Sequence, residues 1–183
     1  MHKAADAVNG LQIATFVVAV VAIVMSALTL TWQVANYLLT GGRPKVELRV
    51  GAIHESGQLV HGPVRNLSAE WAQRHARQGF TRPVLVVQVR NVGRLPVTIA
   101  EWSVTAEPAG AAFQPIGESI GPDLPYKLEP GASETWALEL HTVETLVSVT
   151  AETFEVAKGK TTVRGKVGLG DGRTYETPES IKM

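Results

Sequence analysis

PVLVVQVRNVGRLPVTIAEWSV, residues 83–104, reads as two strands and the corner between them. Residues 84–90 are β-branched and nearly continuously apolar, the composition of a strand covered on both faces in the middle of a sandwich. Asn91-Val-Gly-Arg-Leu-Pro96 interrupts them. Asn91 tolerates unusual φ and can bond its own backbone, Gly93 is expected to supply a positive φ, and Pro96 leads into the next strand. All three read as folding residues rather than binding residues. Residues 97–104 then form the second strand.

Outward from this pair the pattern stays mostly β. Val46, Leu48 and Val50 alternate with charged Lys45, Glu47 and Arg49, the mark of a half-buried strand. A turn at Leu128-Glu-Pro-Gly131 precedes a strand over 134–140, with Trp136, Leu138 and Leu140 on one face. Asp171-Gly172 suits a two-residue turn with positive φ and predicts a hairpin between 162–168 and 173–176. Two stretches break the rhythm. Ser68 can cap a short helix over 69–78, closed by Gly79, with Trp71, Ala72 and His75 on one side. Thr142 can cap a second over 143–157, with Leu146, Val149, Thr150 and Phe154 roughly on one side; its Val and Thr content fits a strand nearly as well. Residues 46–183 therefore read as one mainly β domain, an immunoglobulin-like antiparallel β-sandwich with one or two short helical insertions.

The domain is preceded by IATFVVAVVAIVMSALTL, residues 13–30, without a charge. An apolar helix of about 20 residues crosses the ~30 Å hydrocarbon core of a bilayer. A signal peptide has a shorter apolar core, about 7–15 residues, and a small-residue cleavage site; here Lys3 gives the basic start, but the run is longer and no clear Ala-x-Ala site follows. A soluble core helix would carry a polar face. The expected organisation is a short tail over 1–10, a transmembrane helix with its interfacial extension over 11–40, and a Gly/Pro linker over 41–45. Trp32 and Tyr37 suit the headgroup level, Gly41-Gly42 ends the helix and Pro44 prevents its continuation.

Flanking charge sets the expected orientation. Lys3 is partly offset by Asp6 on the amino side, whereas Arg43, Lys45 and Arg49 follow the helix. Cytoplasmic flanks carry the excess of Lys and Arg, so the bias places the domain in the cytoplasm of a single-pass membrane protein. The absence of cysteine excludes a disulfide framework and decides nothing further. The one glycosylation-type tripeptide, Asn66-Leu67-Ser68, reads as a chance match.

Within the helix, small and polar residues fall at Gln12, Thr15, Ala19, Ala22, Ser26, Thr29, Gln33 and Asn36, spaced by three and four so that all share one stripe. In lipid, close approach at small residues drives helix association. The stripe, centred on Thr15, Ala19, Ala22, Ser26 and Thr29, is thus a candidate for homo-oligomerisation or for pairing with another membrane helix; chance register reads as well, since these residues are common in such helices.

VLVVQVRNVGRLPVTIAEWSV together with LEPGASETWALEL and KVGLGDGRTYET resembles a group of bacterial single-pass membrane proteins, mostly uncharacterised. In that group an Asn-x-Gly-Arg-x-Pro-Val turn joins two strands of a small immunoglobulin-like domain and a Gly-Arg-x-Tyr strand ends it. The similarity covers roughly 44–177 and the preceding helix. Its motifs are structural, and it implies no catalytic residues.

Chemistry is sparse. His54-Glu55 with His61 does not match the helical His-Glu-x-x-His spacing of a zinc site, no Gly-x-Ser-x-Gly elbow occurs, and Gly168-Leu-Gly-Asp-Gly172 lies between strands rather than at a helix start. No enzyme, metal or cofactor is expected. Charge says more. The 17 basic and 17 acidic groups cancel, yet 65–94 holds six arginines (65, 74, 77, 82, 90 and 94) against Glu70, while 101–155 holds ten acids against Lys127. A nucleic-acid surface would want a basic total and interleaved aromatics, so none is expected. Arg43, Lys45, Arg74 and Arg77 are candidates for contact with anionic lipid; pairing between basic and acidic strands explains the segregation more simply. The partners expected are the lipid bilayer and an unidentified protein. Protein binding would fall to the long 54–79 and 109–125 connections, making the chain a membrane-anchored, non-enzymatic interaction module; an envelope assembly component, self-associating through its helix, is the alternative.

Overall fold

The computed structural model describes residues 2–39, 41–66, 69–115, 119–155 and 160–183. It divides into two units, residues 1–41 and 42–183. The first is a single helix, α1 (His2–Leu39). Within it Ala14–Asn36 has a mean hydropathy of 2.3 and buries none of its residues, so this helix is long and apolar enough to cross a membrane. Phe16, Ile23, Leu28 and Trp32 are exposed. The helix already includes 2–10, expected as a tail; Ala4, Ala5 and Ala7 are strong helix formers. Lys3, Gln12 and Tyr37 have side chains outside the described set.

The second unit is mainly β, with two antiparallel sheets. Its strands are β1 (Pro44–His54), β2 (Leu59–Pro63), β3 (Phe80–Asn91), β4 (Val97–Glu107), β5 (Ala111–Phe113), β6 (Tyr126–Leu128), β7 (Ser133–Glu139), β8 (Thr162–Leu169), β9 (Thr174–Glu176) and β10 (Ile181–Lys182), with helices α2 (Ala69–Ala76) and α3 (Leu140–Thr153). One sheet runs β2-β1-β3-β7; the other runs β10-β8-β4-β5, with β6 also on β4 and β9 on β8. The two strands of 83–104 therefore belong to different sheets. Alternation discloses which face of a strand is buried but not which strand lies beside it.

Leu48, Leu85, Val87, Val89 and Trp136 of the first sheet share a core with Ile99, Trp102, Val104, Val163 and Val167 of the second. Each fully buried Val or Leu contributes ~1.5–3 kcal/mol, and the two tryptophans bury the largest side chains. The Trp136 indole N–H donates to the Pro122 carbonyl at 3.0 Å, so its polar atom is satisfied. At Gly165 the sheets approach closely: a Cβ there would stand 2.7 Å from Val87 Cγ2. Val84 and Val86, on the other face of β3, join Ile53 and Ala137 in a second small cluster, which is why β3 reads as continuously apolar rather than alternating.

Details depart from expectation. Gly93 is not among the positive-φ glycines, which do include Gly79, Gly131 and Gly172; its N–H instead donates to Asn91 Oδ1 at 3.0 Å. Three residues, 170–172, lie between Leu169 and Arg173 in the β8–β9 connection, with Gly172 at φ 84°. Leu169 N–H donates to the Arg173 carbonyl and Gly172 N–H to the Leu169 carbonyl, the bulged three-residue loop in place of the two-residue turn. Leu140 opens α3 rather than ending β7, and Glu139, not Thr142, precedes that helix. The buried stripe of α3 is Val143, Val147 and Thr150, while Val149 and Phe154 are exposed. Helix α2 ends at Ala76 and Ala72 is exposed; Ser68, its expected cap, lies outside the described residues, as does Leu67 of the glycosylation-type tripeptide.

Candidate functional site

Strand alternation places every second residue of β1 on the outside of the first sheet, and the register decides what stands beside it. Lys45 pairs with Arg90, Glu47 with Gln88, and Arg49 with Val86; on the far side Gln88 pairs with Thr135 and Arg90 with Ser133. The result is an open polar face of about 360 Å³ lined by Lys45, Glu47, Arg49, Gln88, Arg90 and Ser133. Glu47 sits between two cations, 2.9 Å from Lys45 Nζ and 2.9 Å from Arg49 Nη2. The hydrogen bonds from Lys45 and then Arg49 hold its carboxyl below the ordinary value. Gln88 Nε2 donates to Ser133 Oγ at 3.0 Å. Arg90 makes no side-chain hydrogen bond or ion pair among the described residues.

Toward β2 this face changes character. Gly51 pairs with His61, and a Cβ on Gly51 would lie 2.5 Å from the Val60 carbonyl, so β2 closes tightly on β1 there. Arg49 Nε and His61 Nδ1 are buried and make no hydrogen bond among the described residues. Burial, followed by the charge of Arg49, lowers the His61 pKa, so this imidazole is neutral at physiological pH.

A second cluster lies at the end of the domain where β1 finishes. His54 packs edge-on against Phe80 at 5.1 Å, His75 against Phe80 at 6.1 Å, and Trp71 stacks on His75 at 4.2 Å. Thus the described residues of 54–79 include a hairpin strand, β2, and a helix, α2, whose Trp71 and His75 make aromatic contacts. In a third place, Glu139 bridges Arg82 and His141, the latter at 3.1 Å. No group of three His, Asp or Glu side chains among the described residues could hold a metal.

The basic residues expected to face lipid are not together. Arg43 and Lys45 precede or begin β1, whereas Arg74 and Arg77 follow Trp71 on or just after α2, beside the His54–Phe80 end. Eleven residues of β1 separate those ends, about 33–36 Å at strand rise. On α1, Ser26 Oγ donates to the Ala22 carbonyl and Thr29 Oγ1 to the Met25 carbonyl, each at 2.8 Å. Those hydroxyls are engaged within their own helix, so the stripe offers small surfaces more than free donors. The Arg90, Gln88 and Ser133 part of the polar face was missed in the sequence; its only signal is the period-2 spacing of Gln88 and Arg90 on a strand that otherwise reads as wholly buried.

No family model, no curated protein and no solved structure matches this chain.

Proposed function

We propose that this is a single-pass membrane protein whose immunoglobulin-like sandwich serves as a non-enzymatic module for binding another protein. The observation that carries the reading is the 23-residue Ala14–Asn36 segment, apolar and unburied, joined to a separately packed β domain. Contiguous exposed apolar surface of this extent is rare on a soluble protein. Two antiparallel sheets over one core, with the chain crossing between them at 91–96 and again at 129–132, support the immunoglobulin-like description. The open face of Lys45, Arg49, Gln88, Arg90 and Ser133 supports binding of a macromolecular surface, being shallow where small-molecule sites are deep and mostly apolar. With Lys45, Arg49 and Arg90 against Glu47 alone, its excess of cations favours a partner that presents acidic groups.

The test is crosslinking in native membranes after alkaline carbonate extraction. Retention in the pellet with discrete heterologous adducts that disappear in Arg90→Glu is the expected result. Adducts of this chain with itself, insensitive to Arg90→Glu and lost in an Ala22→Leu, Ser26→Leu double variant, would replace the module by the assembly reading. A carboxyl-terminal tag protected from protease outside intact cells is the expected orientation.

A further inference from the structure

The outer face of the first sheet is built in rows that run across its strands. Lys45, Arg90 and Ser133 stand opposite one another on β1, β3 and β7, and Glu47, Gln88 and Thr135 form the row beside them. Neighbouring strands lie ~4.8 Å apart, so each row spans about 10 Å. All three residues of the first row are exposed, and all three carry hydrogen-bond donors. Gly131 borders the same face without a side chain.

For the fold alone this row is a poor arrangement. Like charges directly opposite on neighbouring strands are destabilising, and Lys45 stands opposite Arg90. The nearby acids are engaged elsewhere. Glu47 is shared between Lys45 and Arg49, each at 2.9 Å. Glu134, the next residue of β7, accepts from the Tyr126 hydroxyl at 3.2 Å, and Glu129, before the turn, pairs with Lys127 at 2.8 Å. Arg90 leaves the donors of its guanidinium unused among the described residues. Ser133 Oγ accepts from Gln88 Nε2 at 3.0 Å, and a hydroxyl that accepts keeps its own proton to give.

The face therefore sets Lys45, Arg49 and Arg90 against Glu47, an excess of two positive charges. An aspartate or glutamate side chain brings one negative charge. A phosphate monoester brings ~1.5–2, with three strong acceptor oxygens, and a guanidinium meets it as a bidentate fork while an ammonium adds a point charge. The lining is polar throughout, with no aromatic or aliphatic side chain to receive a phosphotyrosine ring.

We propose that Lys45, Arg90 and Ser133 form a seat for a phosphorylated serine or threonine of the partner protein. Arg90 takes two phosphate oxygens, Lys45 and the Ser133 hydroxyl donate to the same group, and Gln88 positions Ser133. This rests on the protein-binding reading of the same face and sharpens it: the acidic group recognised is one that can be added and removed, so attachment of the partner is switchable.

Two measurements test the seat. In the first, the isotope-labelled full-length protein in detergent is titrated with N-acetyl-phosphoserine amide and, separately, with N-acetyl-glutamate amide, and the Arg90 Nε–H and Ser133 N–H resonances are followed. The phosphoserine compound should saturate both signals with several-fold higher affinity than the glutamate compound. Arg90→Gln and Lys45→Gln should each weaken that binding several-fold, read at Ser133, while Arg94→Gln in the neighbouring turn leaves it unchanged. Equal saturation by the two compounds, or saturation by neither, would overturn the phosphate seat. So would saturation by phosphatidic acid in nanodiscs without saturation by the phosphoserine compound, which would assign the row to a lipid headgroup. In the second, native membranes are treated with a broad-specificity phosphatase before crosslinking. Heterologous adducts should disappear as they do in Arg90→Glu. Adducts that outlast the phosphatase but not Arg90→Glu would overturn the seat and leave the binding module standing. Adducts indifferent to Arg90→Glu would remove the face from binding and the seat with it.

Discussion

Two regions of the domain treat their buried polar groups in opposite ways. Asn91, fully buried, has every polar function engaged. Its Nδ2 donates to the Leu95 carbonyl at 2.8 Å and the Leu128 carbonyl at 3.1 Å, and its Oδ1 accepts from Arg43 and Gly93. Its backbone bonds Ala132 and Gly131. One side chain thereby fastens both places where the chain leaves one sheet for the other. On the outer face of the first sheet, by contrast, Arg49 Nε and His61 Nδ1 are buried without a hydrogen-bond partner among the described residues. A satisfied buried polar group fixes a fold; unsatisfied ones mark the place where a fold has kept capacity for something else.

The most severe way to break this contrast is Asn91→Leu. Two carbonyls and two N–H groups at the corner lose their partner, and with ~1–3 kcal/mol for each group left buried and unsatisfied, a loss of about 3 kcal/mol is expected. Urea unfolding of the detergent-solubilised chain measures it, and a loss below about 1 kcal/mol would mean that water replaces the amide without penalty. Gly131→Ala attacks the same corner more gently. Its φ is +77° but open space surrounds the absent Cβ, so only backbone strain of ~1 kcal/mol is expected.

On the outer face the expected effect is a slope rather than a loss. His61 has its pKa lowered by burial, so below about 6.5 the unfolded chain takes up a proton that the folded chain resists. Stability should therefore be full above that pH, fall as pH decreases through it toward the folded pKa, and level off below. His61→Asn should flatten the thermal midpoint between pH 7 and 5; an unchanged slope would shift the cause to other groups. Smallest of all is Asp171→Ala. That carboxylate, held below its ordinary value by Arg173, is fully exposed in its own turn, and the midpoint should not move measurably.

Much of this was legible because strands announce themselves by period. The spans 45–50, 84–90, 97–104 and 162–168 fall inside β1, β3, β4 and β8. The same period is silent about neighbours, which is why the split of 83–104 between two sheets and the Lys45–Arg90 adjacency emerge only from register. Gly93 misled because asparagine two residues earlier can close the turn by accepting its N–H, with no need of a positive φ. Helix α3 misled because its Val and Thr residues occupy every face, so composition could not single out Val143 and Val147 over Val149 and Phe154. The division of the basic set between the two ends of β1 has a simpler reason: distance along the sequence says nothing about which end of a strand a loop returns to.

The outermost strands of the two sheets have a consequence for the proposed life in a bilayer. β5, β9 and β10 span three, three and two residues, and Ile120 bridges Ala137 at the margin of β7. Confinement to a membrane plane raises collision frequency between copies and aligns their domains, conditions in which a long open margin on a valine-rich sheet would recruit a neighbour strand by strand. The short margins of the second sheet deny that template, and in the first sheet β7 is bridged at Ala137, so on a membrane the five-residue β2 would be the margin left to recruit a neighbouring copy.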